Sequence, residues 1–452
     1  MSTPEDTMQI DKRVHTALDL LQQRGFEASV VGGCVRDSLM GSAPKDWDVC
    51  TDARPDEMMA CFLGHSVFET GLKHGTITVV IEHLPIEITT YREDGEYANN
   101  RQPAEVRFIH SLKEDLARRD FTMNAIAYSP RAGFTDPYGG AQDIRNKIIR
   151  CVGDPAQRFS EDGLRIMRAL RFASQLGFSL AKETKESLLD CRELLQSISA
   201  ERLAHELTEM LTGAQVHEVL TDYVGVLGVF IPEIAAMVGV EQNNPYHQYD
   251  VWQHTVKSVA AVRADKVLRL TMLFHDIGKP SARTTGEDGR DHFYGHGKLS
   301  TEIAHGALKR LKYDNDTVFA VVELIKYHDA PIEVNAVAKW LNRLGELRFE
   351  QLLEVKQADM AAQSAISKRG KAAYLEALRQ KYVEVLEDSQ CFQLKDLAVN
   401  GKDLIALGIE PGVFLGKVLD ELLEKVMVEQ LPNDRQPLLQ AAKEICQKRE
   451  KV

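Results

Sequence analysis

The chain has 452 residues and a mass of 50.7 kDa, enough for two to four domains at roughly 100–200 residues each. With 44% hydrophobic and 27% charged residues, it has the composition of a globular protein rather than a disordered one. Lys and Arg number 55 against 67 Asp and Glu, a net charge of −12. Taken alone, that balance argues against a nucleic-acid binder, whose affinity comes largely from cations placed on phosphates.

Met1 to Val14 is polar and mixed in charge, so no secretory segment is expected. No apolar run approaches the ~18 residues of a membrane span; the longest, Tyr223 to Ile231, ends at Pro232. Seven cysteines at scattered positions form no CxxC, which predicts free thiols in a reducing, cytoplasmic compartment. Monomer and homodimer are equally open.

Residues 27–153 are rich in Gly, Pro and β-branched runs. Phe26 to Val31 reads as a short strand entering Gly32-Gly33, then a helix from Cys34 to Met40 closed by Gly41. Asp46 to Thr51 reads as a second strand. Thr76–Glu82 and Ile86–Arg92 read as a hairpin around His83-Leu84-Pro85, and Lys147–Val152 as a further strand. From about residue 155 apolar residues recur at three and four spacing, through 164–180, 186–198 and 201–211, and helical patterns continue to the C-terminus. The expected fold is therefore α+β, a small mixed α/β head followed by a long all-α body. The boundaries read as a head over 1–153, a helical neck over 154–244, a helical metal-binding domain over 245–380 and a helical tail over 381–452.

The head carries a glycine turn beside a carboxylate pair. A strand that ends in Gly32-Gly33 at a helix start offers backbone N–H groups to a phosphate, and Arg36 one turn on adds a bidentate contact. Asp46 and Asp48, two apart on the expected strand, share one face. Two such carboxylates suit a pair of Mg²⁺ ions. Glu87, a charge between apolar strand residues, is the candidate third carboxylate.

These residues resemble the first motif of class II tRNA nucleotidyltransferases and bacterial poly(A) polymerases, in the polymerase-β superfamily. Four more motifs follow in the family's order: Arg118-Arg119-Asp120-Phe121-Thr122-Met123-Asn124-Ala125, Asp136 to Ile144, Glu161-Asp162-Gly163-Leu164-Arg165, and Glu201-Arg202-Leu203 with Glu206-Leu207, where Leu203 replaces the usual Ile. The resemblance spans about residues 26–212 and implies template-independent addition of CCA to tRNA from CTP and ATP. Its alternatives are a poly(A) polymerase or an A-adding enzyme of the same superfamily.

In that reading Gly33 and Arg36 sit on phosphate oxygens, Arg118 and Arg119 reach the triphosphate, and Asp120 and Asn124 bond the ribose. Cytosine and adenine both present an amine donor beside a ring-nitrogen acceptor. Asp162 accepting and Arg165 donating, neighbours at i and i+3 on a helix, would complement both bases. Arg168 and Arg171 continue the same three-residue step, while Leu164, Met167 and Leu170 fall at packing phases. The polar stretch Tyr91 to Pro103 resembles the family's flexible loop and favours competence for A addition.

The body carries a separate pattern. His254, then His275-Asp276 in Phe274-His275-Asp276-Ile277-Gly278-Lys279, then Asp359 follow the order H…HD…D, with His296 and His328 as further candidates. Histidines and carboxylates in that set suit a divalent metal that activates water. The order resembles the HD phosphohydrolase superfamily, which implies Ni²⁺, Mn²⁺ or Mg²⁺ at this site and hydrolysis of a phosphoester such as a 2′,3′-cyclic or terminal phosphate on RNA. A further alternative makes this the main enzyme and the head an RNA-binding module. The tail is expected to contact tRNA, on the resemblance alone. Between Arg101 and Arg171 lie 13 Lys and Arg against 9 Asp and Glu. The acidic total thus leaves room for a local basic face.

Overall fold

The computed structural model describes residues 7–94, 97–98, 102–103, 106–387, 393–428 and 430–450. The chain forms two units, Met1–Ile231 and Pro232–Val452. The first is mixed α/β and the second almost wholly helical, so the expected α+β order of head and body holds.

The first unit is built on a seven-stranded sheet. Its order runs Gly133–Thr135, Ala127–Ser129, Ala28–Val31, Asp48–Thr51, Leu84–Thr90, Thr76–Ile81 and Ser66–Gly71. All neighbours are antiparallel except Asp48–Thr51 beside Leu84–Thr90, which are parallel. Ala28–Val31 is buried along its length, as a central strand should be, whereas Thr76–Ile81 alternates. Leu84–Thr90 closes the expected hairpin with Thr76–Ile81, and the turn falls one residue earlier than read. Glu82 and His83 take positive φ at 45° and 66°, the pair of left-handed residues that a two-residue hairpin turn requires. Val31, Cys50, Tyr91, Leu116, Ala125, Ala127 and Val152 form a core cluster beside the sheet.

Part of the stretch expected as a loop is paired. Arg92–Asp94 lies antiparallel to Val106–Phe108, and Tyr97–Ala98 to Gln102–Pro103. The rest of it, residues 95–96 and 99–101, lies outside the described residues.

Helices follow at Pro155–Glu161, Leu164–Leu176, Lys182–Asp190 and Ala200–Leu211. Leu164, Met167 and Leu170 are buried, as their phase predicts. The second unit packs Val251–Ala261, Lys266–Phe274, His296–Arg310, Asn315–Tyr327 and Glu346–Ala361 around buried Leu270, Phe274, Leu324 and Phe349. Among the described residues, six cysteines are free; Cys391 lies outside them. No described helix is long and apolar enough to cross a membrane.

Candidate functional site

In the first unit, the strand Ala28–Val31 runs into Gly32, whose φ of 82° and ψ of −129° suit glycine alone. A Cβ there would also stand 3.0 Å from Arg119 Nη1 and 3.9 Å from Asp48 Oδ2. The glycine thus keeps open the space between a cation and a carboxylate. Gly33 opens the helix Gly33–Leu39, and no side chain caps its first N–H groups.

Asp48 and Glu87 are direct partners on the two parallel strands, and Thr78 is the partner of Glu87 on its other side. Registered residues point to one face of a sheet, so the row Thr78–Glu87–Asp48 faces one way. Asp46, expected on the strand, lies instead in the bend before it and is exposed. The strand starts only at Asp48, where hydrogen bonding to Leu84–Thr90 takes over. Burial raises the Asp48 carboxyl; Arg119 opposes, Glu87 and Asp46 add to the rise, and it settles at about 6. Asp46, Asp48 and Glu87 offer hard oxygen donors of the kind a divalent cation takes.

Beside this row runs a polar chain. Arg36 Nη1 donates to Asn124 Oδ1 at 3.0 Å, and Asn124 Nδ2 to Asp120 Oδ1 at 3.1 Å. Arg168 Nε donates to Asp120 Oδ2 at 2.8 Å. Arg171 stands 3.3 Å from the Glu206 carboxylate. Phe172 is the hub of the cations: the guanidinium carbons of Arg171, Arg36 and Arg168 lie 4.5, 5.1 and 5.5 Å from its ring centre. Burial opposes the charge on Asp120, but Arg168 and Arg165 outweigh it and hold the carboxyl at about 2. Arg118 donates to Asp115 Oδ1 at 2.9 Å, and Arg119 reaches the other oxygen of Asp115 at 3.4 Å.

The expected Asp162–Arg165 pair on one helix is not formed. Asp162 ends Pro155–Glu161, and the next helix begins at Leu164. The break lies at Asp162, whose backbone is extended at φ −144° and ψ 104°; a Cβ on the following Gly163 would press on Leu194 at 3.0 Å. Arg165 bonds Glu161 Oε2 at 2.6 Å and the Arg118 carbonyl at 3.0 Å, and Asp162 accepts from Arg202 at 2.6 Å. The arginines are not a solvated stripe: Arg165 is buried, and Arg168 and Arg171 are paired inward. The reading of single residues passed over Arg202, Glu206 and Phe172. The first two stood in a quoted motif, and their inward charges at i and i+4 on Ala200–Leu211 were the available signal.

In the second unit, His254 lies on Val251–Ala261, His275-Asp276 just past Lys266–Phe274, and Asp359 near the end of Glu346–Ala361. His254 Nε2 stands 3.1 Å from Asp359 Oδ1, 3.3 Å from His275 Nε2 and 3.4 Å from Asp276 Oδ2. The four expected ligands therefore meet. His296 and His328 join on the other oxygen, with Nε2 3.5 and 3.9 Å from Asp276 Oδ1. Donor atoms of His254, His275, Asp276 and Asp359 lie within 4.8 Å of one another, as do those of Asp276, His296 and His328. Among the described residues these are the groups so arranged; Asp46, Asp48 and Glu87 are spread more widely.

Gly278 brings His296 in. A Cβ on it would meet the His296 carbonyl at 2.7 Å and Ser300 N at 2.6 Å, so only glycine lets that helix approach the His-Asp turn. Each histidine has Nδ1 on a main-chain carbonyl: His254 on Ala362, His275 on Met272, His296 on Phe293 and His328 on Ile325. Such second contacts fix the tautomer and turn every Nε2 lone pair inward, the arrangement of metal-binding histidines. Burial works against charge at His275, yet Asp276 and Asp359 raise its pKa, and it holds Asp276 low in turn. Asp276 Oδ2 lies 2.7 Å from Lys279 Nζ and 3.3 and 3.4 Å from the Nε2 atoms of His275 and His254. Two carboxylates and two imidazoles with donor atoms this close are a donor set that fits a divalent cation.

The first unit thus combines the sheet, glycine turn, carboxylate row and arginine chain of a nucleotidyltransferase head, followed by a helical body. Residues 28–150 match the "Poly A polymerase head domain", residues 177–237 the "Probable RNA and SrmB- binding site of polymerase A", and residues 293–442 the "tRNA nucleotidyltransferase domain 2 putative". The chain is 32% identical to the CCA-adding enzyme of Levilactobacillus brevis, over 94% of its own length and 95% of that protein's. It is also 32% identical to the CCA-adding enzyme of Geobacillus kaustophilus, over 92% of each. A solved CCA-adding enzyme of Bacillus stearothermophilus in complex with CTP aligns over the whole of both chains, with a TM-score of 0.71 and 29% identity. The chain belongs to the family of CCA-adding enzymes.

Proposed function

We propose that the first unit carries out the family's reaction, addition of CCA to the 3′ end of tRNA from CTP and ATP, at the carboxylate row. The 3′-oxygen of the RNA attacks the α-phosphorus of the nucleotide, the bond to the β-phosphate oxygen breaks, and pyrophosphate leaves. Mg²⁺ ions held by Asp46 and Asp48 would lower the pKa of the hydroxyl and carry the charge that builds on the triphosphate. Glu87, exposed beside Asp48, would serve as the third carboxylate of the set. Gly32, Gly33 and Arg36 receive phosphate oxygens, with Arg118 and Arg119 behind them. Asp120 and Asn124 orient the ribose, and Asp162 and Arg165, though held by Arg202 and Glu161 rather than by each other, would supply the acceptor and donor that C and A share.

The observation that carries this reading is the registered Asp48–Glu87 pair beside Asp46, opening on the Gly32 turn. The experiment is product sequencing with tRNA lacking its 3′ end, CTP and ATP. Ordered CCA is expected from the native protein and none from the Asp46→Ala, Asp48→Ala variant. Runs of A, or A added only after CC, would move the chain to the poly(A) polymerase or A-adding alternatives.

A second reading rests on the His–Asp cluster. We infer a metal-dependent phosphohydrolase there, in which His254, His275, Asp276 and Asp359, with His296 and His328 alongside, would hold Ni²⁺, Mn²⁺ or Mg²⁺ and so activate water. The water oxygen bonds to phosphorus, the P–O ester bond breaks, and the proton ends on the leaving oxygen. Phosphodiesterase activity that appears with Mn²⁺ or Ni²⁺ and vanishes in His275→Ala is the expected result; no metal-dependent hydrolysis of any cyclic-phosphate RNA would refute it.

A further inference from the structure

Among the described residues, Asp115 is the most enclosed acid of the first unit, with 1% of its side chain exposed, and the reaction as drawn gives it no part. It lies on the short helix Leu112–Ala117, which Ser111 caps by accepting from Glu114 N at 3.4 Å. The helix ends at Ala117, so Arg118 and Arg119 follow three and four residues past Asp115. Side chains at those spacings meet on one side of a helical turn. Both guanidiniums fold back onto the one carboxylate.

The two oxygens of that carboxylate are used unequally. Oδ1 takes Arg118 at two points, Nε at 2.9 Å and Nη2 at 2.8 Å, and also accepts from Arg92 N at 3.3 Å. Oδ2 faces Arg119 Nη2 at 3.4 Å. The other terminal nitrogen of Arg119 reaches the glycine turn: Nη1 stands 3.0 Å from where a Cβ on Gly32 would be, and Asp48 Oδ2 stands 3.9 Å from the same point. Arg119 therefore lies between two carboxylates. Its ion pair is with Asp115, and it acts on Asp48 across the turn through its charge. Burial works against the Arg119 cation; Asp115 is the first of the charges that outweigh it, and Asp48 is the next carboxylate after it.

Without the charge of Asp115, the acid left for Arg119 to pair with is Asp48, and a guanidinium seated there would occupy an oxygen that a divalent cation needs. We propose that Asp115 is a positioning residue that holds Arg119 back from Asp48, leaving Asp48 to the divalent cation and Arg119 Nη1 to a phosphate oxygen at the glycine turn. This rests on the nucleotidyl-transfer reading of the carboxylate row and adds to it how the row is kept open for a cation. One acid against two guanidiniums also leaves this arm with a net positive charge, which suits a triphosphate.

Asp115→Asn isolates the effect. The amide oxygen stays with the three donors on the Oδ1 side, so its NH₂ group turns to Arg119, donor against donor, and Arg119 alone is released. The test follows Mn²⁺ uptake by the full chain through loss of the free ion's paramagnetic resonance signal. The head's share is the share lost in the Asp46→Ala, Asp48→Ala form. Asp115→Asn should weaken that share at least about tenfold, the low end of what a neighbouring opposite charge does to a carboxylate's affinity for a proton. The Mg²⁺ concentration for half-maximal CCA addition should rise with it, while kcat recovers at saturating Mg²⁺. Arg119→Ala should raise KM for CTP yet leave Mn²⁺ affinity near the native value. Added to Asp115→Asn, it should restore the lost affinity. A loss that persists without Arg119 would give Asp115 a role in folding alone, and native Mn²⁺ affinity in Asp115→Asn sinks the proposal while the row stands. Should Asp115→Asn fail to fold, Arg119→Ala decides. Unchanged affinity supports the proposal, whereas a gain of about tenfold means that Arg119 already sits on Asp48 and that Asp115 holds nothing back. Equal Mn²⁺ uptake by the native chain and the Asp46→Ala, Asp48→Ala form sinks the carboxylate reading itself.

Discussion

The two units hold their acidic groups in opposite ways. In the head, Asp46 and Glu87 are exposed and only Asp48 is desolvated. In the body, His275 and Asp276 are fully enclosed, and every histidine of the cluster is locked by a carbonyl. On the proposed reading the head must admit a triphosphate and an RNA end together, which suits the exposure of Asp46 and Glu87 and the cations strung along a buried chain behind them. The body's cluster is suited instead to retaining an ion before any substrate arrives. An open row is read out by catalysis, a closed cage by metal retention.

The sharpest way to break this comparison is a crossed pair of variants. Asp46→Ala with Asp48→Ala should lower CCA addition by at least about a thousandfold, on the scale of losing a charge-stabilising group or more, and leave Mn²⁺-dependent hydrolysis untouched. His275→Ala should do the reverse. If nucleotide addition survives the first change, the carboxylate row is not the catalytic site. A smaller effect separates the cage from the row by binding alone. His254→Ala removes a proposed ligand and should weaken Mn²⁺ binding to the body by about 100-fold or more, above the ~10–100-fold cost of losing a group that only orients a ligand, measured by calorimetry on a protein already carrying the two head substitutions.

How much of each site could be read from the sequence follows from how far apart its parts lie. Gly32 to Asp48 is one strand–turn–helix–strand passage, so local pattern identified it. Glu87 was reachable because a lone charge in an apolar strand stands out. The His254–Asp359 contact spans 105 residues, and what pointed to it was the chemistry of the residue types together with the order H…HD…D and its resemblance to the HD superfamily. Two expectations failed at element ends. Asp46 fell off its strand because the ladder with Leu84–Thr90 starts at Asp48. Asp162 fell off its helix because its own backbone is extended, with φ −144° and ψ 104°, and its carboxylate accepts from Leu164 N at the start of the next helix. The partners that replaced the expected pair, Glu161 for Arg165 and Arg202 for Asp162, depend on how two helices meet, which no local spacing encodes.

Phe172 offers a finer probe of the head. Its ring spaces Arg36, Arg168 and Arg171, each contact worth about 0.5–2 kcal/mol when desolvated. Phe172→Leu keeps the volume roughly constant and removes the π-face. Because the ring acts through those arginines, the expected result is a rise of about tenfold in KM for CTP and ATP and a relaxed preference against UTP. Little change in folding is expected. A fall in kcat with KM unchanged would place the ring in the chemistry rather than in positioning.

The smallest predicted effect concerns Asp120, and its sign follows from linkage. The carboxyl is held at about 2 in the folded chain against 3.8 as its ordinary value. Its ion pair with Arg168 therefore adds stability above the ordinary value, and that contribution is lost as pH falls through the folded one. The shift is worth about 2 kcal/mol at neutral pH. Asp120→Asn should melt several degrees below the native chain at pH 7. The gap should stay constant down to about pH 5 and narrow steadily below about pH 4, as the native Asp120 takes up the proton that the asparagine variant never needs. The body's cluster supplies the contrast. A control at its rim, Lys371→Met, beside Asp359 at 3.8 Å, sits on an exposed side chain and should shift the melt by well under a degree. A gap for Asp120→Asn that does not change between pH 7 and pH 3 would mean that Asp120 serves the head through its shape and hydrogen bonds, not through its charge.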